Sequence, residues 1–137
     1  MNSPADFEPH HCGISVPDLK SSIGWYCSML GFAVSRYIEI EGAKIVFLRH
    51  GNFFIELFEV SGASGMPDNR RYPGLDIRTH GTKHVAFKVK DLTSFMETLK
   101  RRGVDVAMDV FTVQDIKAAF IRDNAGVLIE FVEENWT

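Results

Sequence analysis

No run in this sequence approaches the roughly 18 to 20 consecutive apolar residues that a membrane helix needs, and its opening stretch, residues 1–11, has neither the basic segment nor the apolar block of a secretory signal. The expectation is a cytoplasmic protein with no membrane partner. Basic clusters are missing too. Fifteen Lys and Arg are interspersed among 18 Asp and Glu for a net charge of −3, which leaves no electrostatic footprint for nucleic acid. Cysteine is scarce: Cys12 and Cys27 stand outside any CxxC pair, so they indicate neither a disulfide framework nor a thiolate zinc site and are expected to be free, half-buried thiols. What is present is 137 residues, 45% apolar and 24% charged, which suits one globular domain with its own core and excludes a multidomain enzyme.

The chain repeats itself. His11-Cys-Gly-Ile-Ser-Val16-Pro-Asp18-Leu19 returns as His84-Val-Ala-Phe-Lys-Val89-Lys-Asp91-Leu92, and Phe54-Ile55-Glu56-Leu57-Phe58-Glu59 returns as Leu128-Ile129-Glu130-Phe131-Val132-Glu133. The His-to-Glu separations are 45 and 46 residues, a spacing that two chance similarities would not preserve. Each copy predicts a short strand (11–16, 84–89), then a helix (19–30, 92–102) with Asp18 or Asp91 at its N-cap and Gly31 or Gly103 beyond its end. Apolar residues recur at helical spacing, Leu19, Ile23, Tyr26 and Leu30 in one and Leu92, Phe95, Met96 and Leu99 in the other. Three further strands follow in each, 33–40, 43–49 and 53–60, then 104–111, 116–122 and 127–133. The expected fold class is α+β: two βαβββ modules in tandem, 7–60 and 84–134, joined by a connection over 61–83 within a single domain 1–137.

That connection is long and rich in Gly, Pro and Arg. Arg70, Arg71 and Arg78, with Tyr72, either close over an anionic ligand or belong to a solvated linker.

Strand parity sorts the repeated residues. Cys12, Ile14 and Val16, like Val85, Phe87 and Val89, form the apolar face under the helix, and His11 and His84 look the other way. Ile55 and Leu57, or Ile129 and Phe131, take the core side, leaving Glu56 and Glu130 on the histidine face among apolar neighbours. A mid-strand glutamate in such company is expensive to desolvate without a strong partner. Two imidazoles and two carboxylates, His11, Glu56, His84 and Glu130, form an N2O2 set suited to Ni, Co, Zn, Mn or Fe, with positions left for water or a small-molecule substrate. His10 has the opposite parity, His50 lies in a turn and His80 in the connection, so none of these is expected to ligate. Glu59 and Glu133 fall on the helix side and are read as structural.

At these residues the chain resembles the vicinal oxygen chelate, or glyoxalase/bleomycin resistance/dioxygenase, superfamily over about 7–134. The marks are His11-Cys-Gly-Ile-Ser-Val-Pro-Asp-Leu, Gly31-Phe32, Ile55-Glu56-Leu57, Lys83-His84-Val-Ala-Phe-Lys-Val and Asp123-Asn-Ala-Gly126-Val-Leu-Ile-Glu130. The resemblance implies two βαβββ modules curled around a cavity, and a divalent metal bound by His11, Glu56, His84 and Glu130 as in glyoxalase I. It also implies a homodimer, and proton transfer next to a carbonyl with Glu130, or Glu56, as general base. Methylmalonyl-CoA epimerases often carry Gln at the position of Glu56. Bacterial glyoxalase I members place an Arg and an Asn for glutathione where this chain has Ser15 and Val60, and the second acidic catalyst of some epimerases has no counterpart in 44–49. The implied function is a metal-dependent isomerase or lyase of glyoxalase or epimerase type. The alternatives are an Fe(II) ring-cleaving dioxygenase and a drug-sequestering module.

Overall fold

The computed structural model describes residues 4–135. The chain divides between Ala63 and Ser64 into two compact units. Unit one holds β1 (His11–Ser15), α1 (Leu19–Leu30), β2 (Ala33–Ile40), β3 (Ala43–His50) and β4 (Phe53–Val60). Unit two opens with a 3-10 turn (Asp68–Arg71) and the short helix α2 (Pro73–Asp76). It continues with β5 (Val85–Lys88), α3 (Leu92–Arg101), β6 (Asp105–Val113), β7 (Ile116–Arg122) and β8 (Leu128–Glu133). The sheets have the same order, β1-β4-β3-β2 and β5-β8-β7-β6, so in each the first strand pairs in parallel with the last and the rest are antiparallel. The fold is α+β, two four-stranded mixed sheets in tandem, as the repeat predicts.

Each helix covers one face of its own sheet. Leu19, Tyr26 and Met29 of α1 are buried over Ile55 and Leu57, which are fully enclosed; Leu92, Met96 and Leu99 of α3 serve Ile129 and Phe131 in the same way. The buried stripe of α1 runs 19, 22, 26, 29 rather than 19, 23, 26, 30, and the small Ser22 at its centre is completely buried. Gly31, in the left-handed region at φ 73°, ends α1.

The helix starts share a device that neither N-cap supplies alone. The Leu19 N–H donates to Glu59 Oε1 at 2.8 Å, and the Leu92 N–H donates to Glu133 Oε1 at 2.9 Å. The last strand of each sheet thus places a carboxylate at a helix N-terminus, where an orphan amide and the positive end of the helix dipole meet it. Asp91 adds a conventional cap, accepting from the N–H and hydroxyl of Ser94. These bonds hold its carboxyl below the usual value. A carboxyl depressed in the folded state stabilises above its unfolded value, near pH 4, and ceases to do so as pH falls through the folded one. Asp91→Ala is therefore expected to lower the melting temperature at pH 7, with the gap to wild type closing as melts are taken down towards pH 3.

Most of the segment 64–83 is exposed, Arg78 included, but Arg70 is drawn into an internal network. Asp76 is buried, and its carboxylate takes Arg70 Nε at 3.1 Å and Lys83 Nζ at 3.2 Å, while Lys83 also donates to the Asp76 carbonyl at 2.7 Å. The Arg71 carbonyl accepts from Arg122 Nε at 2.8 Å, and the Arg122 guanidinium lies 5.3 Å from the centre of the Tyr72 ring. The Arg71 guanidinium occupies the space a side chain at Gly126 would need: a Cβ there would sit 2.1 Å from Nη1, at a φ of 90°. Asp76→Ala leaves two cations without their shared counter-charge and should cost about 3 kcal/mol. Urea unfolding of the variant checks it, and an unchanged midpoint would show that the network is not structural.

Candidate functional site

His11 stands at the first residue of β1 and Glu56 in the middle of β4. The parallel pairing sets Gly13 opposite Glu56, so His11 lies one diagonal step away on the same face. His11 Nε2 is 3.2 Å from Glu56 Oε1. The edge of the His11 ring meets Phe47, whose backbone pairs with Glu56 from β3, at 5.4 Å between centres. Gly13 keeps this corner open, since a Cβ there would come within 3.0 Å of the Phe58 ring.

Unit two repeats the arrangement. His84 precedes β5 by one residue, and its Nε2 is 3.1 Å from Glu130 Oε1. Its ring stands edge-on to Phe120 at 4.9 Å, and Phe120 pairs with Glu130 from β7. Glu56, His84 and Glu130 are half-buried, and His11 is exposed at the start of its strand. Among the described residues no group of three or more His, Cys, Asp or Glu side chains is gathered that could hold a metal ion; the donors come as two pairs, one in each unit.

The donor chemistry of each pair fits a divalent cation. Two ligands bound at 2.0–2.2 Å and separated by 90–110° stand roughly 2.8–3.6 Å apart, and the two N···O distances fall within that interval. In both pairs Nε2 is the nitrogen turned to the carboxylate.

Three positions make contacts that strand parity alone does not give. His10 lies outside β1, so strand parity does not govern it; its ring stacks on Phe54 at 5.1 Å, and its Nδ1 is 2.7 Å from Nδ1 of His11. A doublet His-His at a strand start is the sequence signal for such a contact. Lys83, beside His84, is instead anchored to Asp76. Asp76 itself escaped notice because the basic residues that enclose it lie six and seven positions away along an irregular segment. Glu59 and Glu133 point away from the donor pairs, as parity requires, and cap the helices. On that helix side of unit one lies a cleft of about 430 Å³ bordered by Leu19, Ile23, Tyr37, Lys44 and Glu59; it does not include His11 or Glu56. Cys12 is on the same side, where burial pushes its thiol up to about 11 and leaves it a poor nucleophile.

Known proteins share this arrangement of elements. The structure of a glyoxalase family protein from Enterococcus faecalis superposes with a TM-score of 0.77 at 24% identity, covering 92% of this chain and 97% of that one. The trypanothione-dependent glyoxalase I of Leishmania major gives a TM-score of 0.68 at 25% identity over 90% of this chain and 84% of its own. The protein YaeR of Escherichia coli (strain K12) is 26% identical over 131 residues, 91% of this chain and 95% of its own length. The model of the Glyoxalase/Bleomycin resistance protein/Dioxygenase superfamily matches residues 8–131, and the chain belongs to that superfamily.

Proposed function

We infer that the protein is a divalent-metal-dependent isomerase or lyase of glyoxalase or epimerase type, moving a proton at a carbon next to the carbonyl of a small oxygenated metabolite. The observation that carries this is the twice-built imidazole–carboxylate pair, at 3.2 and 3.1 Å, each with its imidazole perpendicular to a phenylalanine ring. His11, Glu56, His84 and Glu130 are the ligands, for Ni, Co, Zn, Mn or Fe. A cation bound at such a pair would polarise a carbonyl oxygen and stabilise the negative charge that develops on it. Glu130 Oε1 takes the proton from carbon and returns it, and the half-buried setting of the pair keeps competing water low.

Incubation of the metal-loaded protein in D2O with a panel of α-hydroxythioacetals and acyl-CoA thioesters tests the reaction class. Deuterium should enter the carbon next to the carbonyl of at least one of them, and no incorporation into any would overturn the inference.

The working form is a homodimer in the cytoplasm. Both sheets have open edge strands, β1 and β2 in one and β5 and β6 in the other, and such edges call for cover. Sedimentation at micromolar concentration should give twice the chain mass; a monomer with full activity would refute it.

A further inference from the structure

The face of unit one that carries His11 and Glu56 has a second feature, written in its strand register. Two neighbouring rows cross the sheet. One reads His11, Phe54, Arg49 across β1, β4 and β3; the other reads Glu56, Phe47, Arg36 across β4, β3 and β2. In each, a donor is followed by a phenylalanine and then by an arginine two strands away, about 10 Å at the usual strand spacing.

Arg36 joins its row through an irregularity. Strict alternation from Ala33, which pairs with Arg49, would bring Ser35 to this face. A register shift between Val34 and Arg36 sets Arg36 opposite Phe47 instead. A bulge at this point re-aims a side chain from one face of the sheet to the other. Arg49 is held in place: its Nε donates to the Gly51 carbonyl at 2.8 Å and its guanidinium lies 5.7 Å from the centre of Phe54, which leaves both terminal nitrogens for a ligand. Among the described residues no carboxylate pairs with Arg36 or Arg49. Glu39 of β2 is opposite Lys44 and so faces the helix side.

Unit two has the same bulge but not the same cations. Met108 takes the place of Arg36 opposite Phe120, and Arg122, in the place of Arg49, is neutralised by Asp105 at 2.9 Å. The free guanidinium pair is thus particular to unit one and is not a by-product of the repeat.

We propose that this face takes an elongated oxygenated acid, with its adjacent oxygens at His11 and Glu56, an apolar middle on Phe47 and Phe54, and a terminal carboxylate bound by Arg36 and Arg49. This rests on the metal-centre inference for the oxygenated end, while the arginine end stands on the register alone. Guanidinium groups with free terminal nitrogens suit a planar carboxylate.

The probe is 4-(hydroxyacetyl)benzoate, which has adjacent oxygens and a carboxylate on opposite sides of a ring; the control is its methyl ester. Calorimetric titration of the full chain should show the acid binding at least about tenfold more tightly than the ester, the scale of a charge-assisted hydrogen bond. The double substitution Arg36→Met, Arg49→Met should abolish the preference and leave ester affinity unchanged, with circular dichroism confirming the fold. Equal affinities for wild type, no binding of the acid, or a preference that survives the double substitution would each overturn the proposal. Co²⁺ titration without probe, followed by visible absorption, tests the metal centre separately. Failure of Co²⁺ to bind with the acid preference intact would remove the metal and keep the arginine site.

Discussion

Replacing His84 with Ala is expected to lower divalent-metal affinity by at least about 100-fold and to abolish deuterium exchange while leaving a folded protein. Groups that merely orient a ligand are worth 10 to 100-fold in affinity, so a ligand itself should exceed that range. The fold survives because Ile129, Phe131, Leu92 and Met96, closed off on the helix side of the sheet, do not depend on His84, a partly exposed residue on the other face. His84 contributes to the metal-free fold chiefly its contact with Glu130 and the edge of Phe120. Loss of one such hydrogen bond costs about 1 kcal/mol, a few degrees of melting temperature in a chain of this size. Metal analysis after dialysis against Co²⁺ reads the first effect and thermal denaturation without metal reads the second. Normal metal occupancy in the variant would defeat the ligand assignment; a collapsed metal-free fold would show that His84 is a core residue.

Glu130→Gln should reduce turnover by about 100-fold or more at matched metal occupancy, the range lost with a general base. The amide oxygen still coordinates but cannot take a proton, so turnover falls much further than metal affinity. Glu56→Gln should cost less than about tenfold, since related epimerases carry Gln at that position. The two glutamates stand at like distances from their imidazoles, 3.2 and 3.1 Å. Should Glu56→Gln be the more damaging, the roles of the two carboxylates are exchanged.

The sequence made the larger plan visible through its repeat. Helix-side residues such as Ile55, Leu57 and Ile129 could be assigned because the repeated Glu56 and Glu130 mark the opposite face of each last strand, and alternation then places their neighbours under the helix. The helix-side placement of Glu59 and Glu133 follows from the same pattern. What escaped lies where no such pressure writes a pattern. Strand β2 is exposed along most of its length, so the bulge that turns Arg36 across the sheet leaves no trace in its hydrophobicity. Asp76 is enclosed by Arg70 and Lys83 from an irregular segment, where no period relates one residue to the next. His10 sits one residue before its strand, just outside the range in which parity has meaning.

The parallel pairing of first strand with last in each sheet has a consequence for folding. His11 meets Glu56, and His84 meets Glu130, only when a loop of some 45 residues has closed. Closing it draws on chain entropy that no partial hairpin recovers, so a half-formed unit presents no donor pair at all. A cation that binds these pairs therefore selects completed units, and its concentration above the dissociation constant adds RT ln(1 + [M]/Kd) to stability, about 2.7 kcal/mol at a hundredfold excess. Metal supply in the cell would then set how much of the chain is folded as well as how much is active.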